Sequence, residues 1–120
     1  MWGIVREGMK PYWRAERVEN RLSKGMPDVV FQWGWLELKY SAKVAKRTQK
    51  LPHFTTQQRA FLNRWDNAFL LWQIDENWLL FRDHFDELGH VPYSQLLSLS
   101  SYNSIGRPCW RLISYHLRQG

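Results

Sequence analysis

The chain has 120 residues, 44% of them hydrophobic and 16% aromatic, which predicts one globular domain and excludes a disordered chain. Cys109 is the only cysteine, so neither an intrachain disulfide nor a cysteine-type zinc site can form; His53, His84, His90 and His116 lack ligand spacing. The net charge of +6 is concentrated: residues 1–60 carry twelve Lys/Arg against five Asp/Glu, and residues 61–120 carry five against six. A surface so biased attracts phosphate backbones.

Residues 1–9 predict a short helix, with Trp2, Val5 and Met9 on one side and Pro11 ending it. The segment 1–7 has no long apolar run, so no signal peptide or membrane-spanning helix is expected. That predicts a cytoplasmic, reduced protein with no membrane partner. Residues 13–22 fit a helix or an extended strand, and a strand is expected because the stretch is short and leads into the loop Ser23-Lys24-Gly25-Met26-Pro27. Val29 to Trp33 is β-branched and aromatic, Gly34 supplies a turn, and Trp35 to Tyr40 alternates; together they predict an antiparallel hairpin. Residues 41–53 are basic with little hydrophobic pattern and are expected to form an exposed loop.

Thr55 or Thr56 then caps a predicted helix that runs to about Ala68, with Phe61, Leu62 and Trp65 on its buried face. Phe69–Ile74 and Trp78–Phe81 are apolar at nearly every position, which predicts strands covered on both faces, joined by the turn Asp75-Glu76-Asn77. Pro92 is placed to open a helix carrying Tyr93, Leu96, Leu97 and Ser100, and residues 110–117 fit either a helix or a strand. The predicted fold class is α/β: a mixed sheet flanked by helices, with a helical C-terminal tail.

The chemistry-bearing stretch is Asp28 with Glu37-Leu38-Lys39. On a strand, Glu37 and Lys39 share one face with Trp35, while Leu36, Leu38 and Tyr40 are directed to the core on the other. A hairpin brings Asp28 toward Glu37. Two carboxylates at one place repel unless a cation joins them, and a hard divalent ion such as Mg²⁺ takes carboxylate oxygens. With Lys39 beside it, such an ion suffices for phosphodiester hydrolysis.

Glu19-Asn20, Gly25-Met26-Pro27-Asp28, Glu37-Leu38-Lys39 and Thr55-Thr56-Gln57-Gln58-Arg59 resemble, in this order, the PD-(D/E)XK nuclease superfamily, and within it the compact stand-alone VRR-NUC branch common in phages. The resemblance covers roughly residues 1–83 and implies a restriction-endonuclease-like nuclease core there; residues 84–120 lie outside it and are expected to form a C-terminal extension packed on the same domain. It implies that Asp28 and Glu37 bind Mg²⁺ or Mn²⁺, that Lys39 is catalytic, and that Gln58 belongs to the active-site shell. It further implies a homodimer acting on branched DNA such as Holliday junctions, in a phage-encoded protein working inside the bacterial host cell.

The residues themselves speak to several of these points. Gln58 is three, four and seven residues before Phe61, Leu62 and Trp65, so its amide faces inward, either toward Lys39 and the metal site or as a core-edge cap. Glu19 either completes the metal site or pairs with Arg17 or Arg21 at the surface. Lys43, Lys46, Arg47 and Lys50 have no acid among them and adjoin the site strand, which suits DNA phosphates. Arg17, Arg21 and Lys24 suit them from the other approach. Besides a metal-dependent deoxyribonuclease, two further classes fit these residues: a non-catalytic DNA-binding module that retains the nuclease fold, and a structural protein whose Trp residues and tail form an oligomer.

Overall fold

The computed structural model describes residues 1–17 and 27–119. It is a mixed α/β fold: a six-stranded sheet whose strand order follows the chain, with helices on both faces. The elements are α1 (Trp2–Met9), β1 (Ala15–Arg17), β2 (Val29–Phe31), β3 (Gly34–Ser41), α2 (Thr56–Arg64), β4 (Ala68–Ile74), β5 (Asn77–Phe81), α3 (Tyr93–Leu99), β6 (Tyr102–Ser104) and α4 (Trp110–Arg118). All neighbouring strands are antiparallel except β3 and β4, which run parallel. A parallel pair needs a crossover connection, and α2 provides it. Among the described residues no helix is long and apolar enough to cross a membrane.

The alternation of side chains along β4 and β5 divides the core into two layers. Phe69, Leu71, Trp78 and Leu80 point to the face covered by Val5 and Met9 of α1 and Ile113 and Leu117 of α4. Leu70, Trp72, Ile74, Leu79 and Phe81 point to the other, covered by Leu62 of α2 and Leu96 of α3. Both faces are closed, which is why these two strands are apolar at nearly every position. Each fully buried Leu or Phe there contributes on the order of 2 kcal/mol.

Several local expectations are corrected. The β2–β3 turn is Gln32-Trp33, and Gly34 is already in the ladder, opposite Phe31. Gly34 is there for a close approach and not for the turn: a Cβ on it would overlap the main-chain carbonyl of Asn67, which accepts the Trp35 N–H at 2.9 Å. α2 stops at Arg64, because the chain must enter β4 at Ala68, and Trp65 is left 46% exposed instead of buried. Tyr40 is exposed instead of packed in the core, at the rim of a cleft that Trp2 of α1 also lines. The loop 41–53 is not exposed throughout, since Gln49 and Leu51 are buried.

Of the strand expected over 13–22, the described part is Ala15–Arg17, and Trp13 packs in the core before it. Residues 110–117 resolve to helix, with Ile113, Ser114 and Leu117 on the buried side of α4. The tail also contains an unforeseen strand, β6, whose polar sequence Tyr102-Asn103-Ser104 carries no strand signal and pairs at the sheet edge with β5.

Gly34→Ala is expected to destabilise the fold by about 1–3 kcal/mol, because the obstructing atom is backbone and cannot swing away. Gly3→Ala, with nothing within 4 Å of the added carbon, should be neutral or stabilising. The shift in urea midpoint checks both, and equal midpoints for the two variants would contradict the packing argument.

Candidate active site

Glu37 and Lys39 lie on the α2 face of β3, as their spacing predicts, but they are not displayed to solvent. Glu37 is 1% and Lys39 7% exposed. Buried polar groups require partners, and here they are supplied from the α2 end of the connection between β3 and α2. The Lys39 ammonium donates to the His53 carbonyl at 3.1 Å and to Gln58 Oε1 at 3.1 Å, and it sits 3.4 Å from Glu37 Oε1. Its three N–H groups thus face three acceptors.

Gln58 is the link between helix and site. Thr55 caps α2: its hydroxyl accepts the Gln58 N–H, and Gln58 Oε1 accepts the Thr55 N–H, a complete capping box. The same Oε1 receives Lys39, while Gln58 Nε2 donates to Glu37 Oε1 at 3.2 Å. The expectation that the Gln58 amide faces Lys39 is therefore met, and it serves as a cap as well.

Continuing the β2–β3 register one residue places Asp28 opposite Glu37. Asp28 Oδ2 accepts the main-chain N–H of Leu38 at 3.1 Å, which fixes the carboxylate against β3. Each acid therefore has one oxygen tied to the protein. Glu37 Oε2 is buried and has no hydrogen-bond partner among the described residues. Burial first, and the neighbouring Asp28 charge second, push the Glu37 carboxyl up to about 8, with Lys39 pulling the other way.

A buried, unpartnered carboxylate oxygen beside a second carboxylate is a donor set that suits a hard divalent cation, which keeps several of its waters. Among the described residues no group of three or more His, Cys, Asp or Glu side chains is arranged to hold a metal ion. Glu19, the third candidate ligand, lies outside the described residues, as do Arg21 and Lys24.

Arg17 is exposed at the end of β1 and lines, with Asp28, Leu38, Tyr40 and Trp2, a cleft of about 490 Å³. Lys43, Lys46, Arg47 and Lys50 are all exposed on the connection between β3 and α2. That loop is held from inside by Gln49, which sequence reasoning missed. Its amide oxygen accepts the Ala45 N–H at 2.7 Å, its amide nitrogen donates to the Lys43 carbonyl at 3.2 Å, and its main-chain N–H bonds Val91 O at 2.9 Å.

His53 was missed as well. Its φ of 51° is left-handed, a conformation uncommon for a residue with a side chain, and its carbonyl is the one that holds Lys39. A main-chain acceptor leaves no signature in residue types. No family model, curated protein or solved structure matches this chain significantly.

The raised Glu37 carboxyl has a definite sign for stability. Below about 4.5 it is protonated in folded and unfolded chains alike; between 4.5 and about 8 the folded chain keeps a proton that the unfolded chain has released. This contribution to stability is therefore complete at low pH and is lost as pH rises through that window, by at most about 1.4 kcal/mol per unit. In metal-free buffer with EDTA, Glu37→Gln should flatten that decline in urea midpoints. Wild-type and variant profiles of the same slope between pH 5 and 8 would contradict the assignment.

Proposed function

We propose that this chain is a Mg²⁺- or Mn²⁺-dependent deoxyribonuclease that hydrolyses DNA phosphodiester bonds, structure-selective on branched DNA. One observation carries the reading. Asp28 and Glu37 stand together, each with one oxygen tied by the protein, and the buried Glu37 Oε2 has no partner among the described residues, next to a lysine held on three sides. As a purely structural feature this arrangement is costly, since one of two adjacent acids is kept protonated against the other by burial, and the fold loses stability as pH rises. A cation offsets that cost.

Asp28 and Glu37 are the residues that would hold the ion. When bound, it supplies Lewis-acid charge that stabilises the reacting phosphate and eases deprotonation of the attacking water. Glu37 would have to release its proton to serve as a ligand, so metal affinity would rise with pH up to about 8. Lys39 would offset charge that accumulates on the phosphate in the transition state. Gln58 and the His53 carbonyl hold Lys39 in place. Glu19 is a further candidate ligand.

The exposed Lys43, Lys46, Arg47 and Lys50, with Arg17 on the opposite approach, contact phosphates and position the strand without reading sequence. Two copies related by a two-fold axis suit a two-fold symmetric substrate. Leu112 and Tyr115 on the outer side of α4 give such pairing an apolar surface.

Asp28→Ala and Glu37→Ala should each abolish Mn²⁺-dependent cutting of a four-way junction, measured on gels, while DNA binding in EDTA persists. An Asp28→Ala protein that cuts as fast as wild type would sink the site assignment. Binding without any metal-dependent cutting by the wild type would favour the non-catalytic DNA-binding module. Gln58→Ala should lower the cutting rate about 10- to 100-fold, the usual scale for a residue that orients a metal-site group.

Replacing Lys43, Lys46 and Arg47 together by Gln should reduce the slope of log K against log salt by about 0.9 for each phosphate that the protein no longer neutralises. An unchanged slope in anisotropy titrations would remove the loop from the DNA interface.

A further inference from the structure

Asp28 also borders a feature on the α1 side of the sheet. The cleft it lines with Arg17, Trp2 and Tyr40 lies at the start of α1. At the other end of α1 is a further cleft of about 270 Å³, lined by Arg6, Lys10, Trp13, Arg14, Ala15 and Glu16. The same two elements, α1 and β1, contribute to both clefts.

Their directions join the clefts into one path. Trp2, Arg6 and Lys10 are spaced four residues apart, so they form a single row along α1, leading away from Asp28. β1 returns along the facing wall: Ala15 pairs with Phe31 at the turn end of β2, and Arg17 pairs with Val29, next to Asp28. Arg6, Lys10, Arg14 and Arg17 are all exposed, and none forms an ion pair with an acid among the described residues. Buried Trp13 and half-buried Ala15 give the far cleft an apolar floor, and Glu16 is the one carboxylate of its lining.

The spacing of the cations selects an occupant. Arg6 and Lys10 are about 6 Å apart along the helix axis, and Arg14 and Arg17 about 10 Å apart along extended chain. A small anion needs cations that converge on one point, whereas cations strung along two walls suit a chain of phosphates. The C-terminal turn of α1 favours positive charge, which accounts for Arg6 and Lys10 but not for Arg14 and Arg17 opposite.

We propose that the groove between α1 and β1 binds the sugar–phosphate backbone of a DNA arm that runs from Asp28 toward Lys10 and Arg14. This stretch of backbone is separate from the one assigned to Lys43, Lys46 and Arg47. The proposal rests on the nuclease reading, which supplies the DNA, and deepens it: the protein holds backbone along two tracts. Contacts of this kind position the arm and read no sequence.

The test is anisotropy of labelled duplex DNA in EDTA, titrated over a range of salt. Arg6→Gln with Arg14→Gln, one cation from each wall, should reduce the slope of log K against log salt by about 1.8, or about 0.9 for each phosphate released. Arg6→Lys with Arg14→Lys keeps the charges and should keep the slope. Arg107→Gln with Arg111→Gln removes the same charge from exposed positions around the start of α4 and should leave the slope at its wild-type value. Combined with the loop substitutions, the losses in slope should add, because the two tracts hold different phosphates.

A slope unmoved by the Arg6 and Arg14 pair, or reduced equally by the Arg107 and Arg111 pair, overturns the groove assignment, even where Mn²⁺-dependent cutting leaves the nuclease reading intact. Losses that fail to add overturn the claim of a separate tract. Phosphatidylserine vesicles are the second probe: if the Arg6 and Arg14 pair weakens vesicle binding and leaves the DNA slope unchanged, the groove serves a lipid surface and the DNA assignment falls. Wild-type protein that binds no DNA overturns the nuclease reading and the groove assignment together.

Discussion

The carboxyl of Glu37 and the amine of Lys39 are buried side by side on β3, and their need for partners organises the molecule around them. Glu37 and Lys39 are out of water, where an uncompensated charge costs several kcal/mol. Their partners come from the segment between β3 and α2: the Gln58 side chain at the helix start and the His53 carbonyl just before it. Because Gln58 also closes the Thr55 capping box, the start of α2 and the polarity of the site are one hydrogen-bonded network. Moving the helix by one residue would break the cap and leave both buried polar groups without their Gln58 partner.

The sheet gives that network a rigid floor. β4 and β5 are covered on both faces by apolar side chains, and β3 is the strand at which this cover changes character. On one face of β3, Leu36 is packed in the core with α1 and α4; on the other, Trp35, Glu37 and Lys39 meet the start and middle of α2. Asp28 joins from β2 because the antiparallel register sets it opposite Glu37, and the Leu38 N–H fixes its direction. The proposed chemistry therefore sits where a fully packed sheet gives way to a polar lining, so the reacting groups are held by the same packing that stabilises the domain.

The connection from β3 to α2 separates its tasks by side chain. Lys43, Lys46, Arg47 and Lys50 turn outward, while Gln49 and Leu51 turn in. Gln49 replaces the missing secondary structure with three hydrogen bonds, so the cations are carried on an ordered scaffold. A glutamine within a basic run reads as one more polar loop residue, and only its burial reveals the difference.

Periodicity determined most of the fold. Alternation over 35–40, continuous apolar runs at 69–74 and 78–81, and the Thr55-x-x-Gln58 cap each specify their element locally, because backbone propensity and side-chain direction depend on near neighbours. The pairing of Asp28 with Glu37 and Lys39 was legible for the same reason: a two-strand register is a short-range property. Tertiary structure alone decided what depends on distant chain. Nothing local in Tyr102-Asn103-Ser104 says strand, yet the open edge of β5 makes it one. Trp65 reads as core and is half exposed, because the next strand has to begin at Ala68. The burial of Glu37 and Lys39 followed the same rule: spacing put them on one face, but only the seating of α2 over that face removed them from water. That burial raised the Glu37 carboxyl and left one of its oxygens without a partner among the described residues.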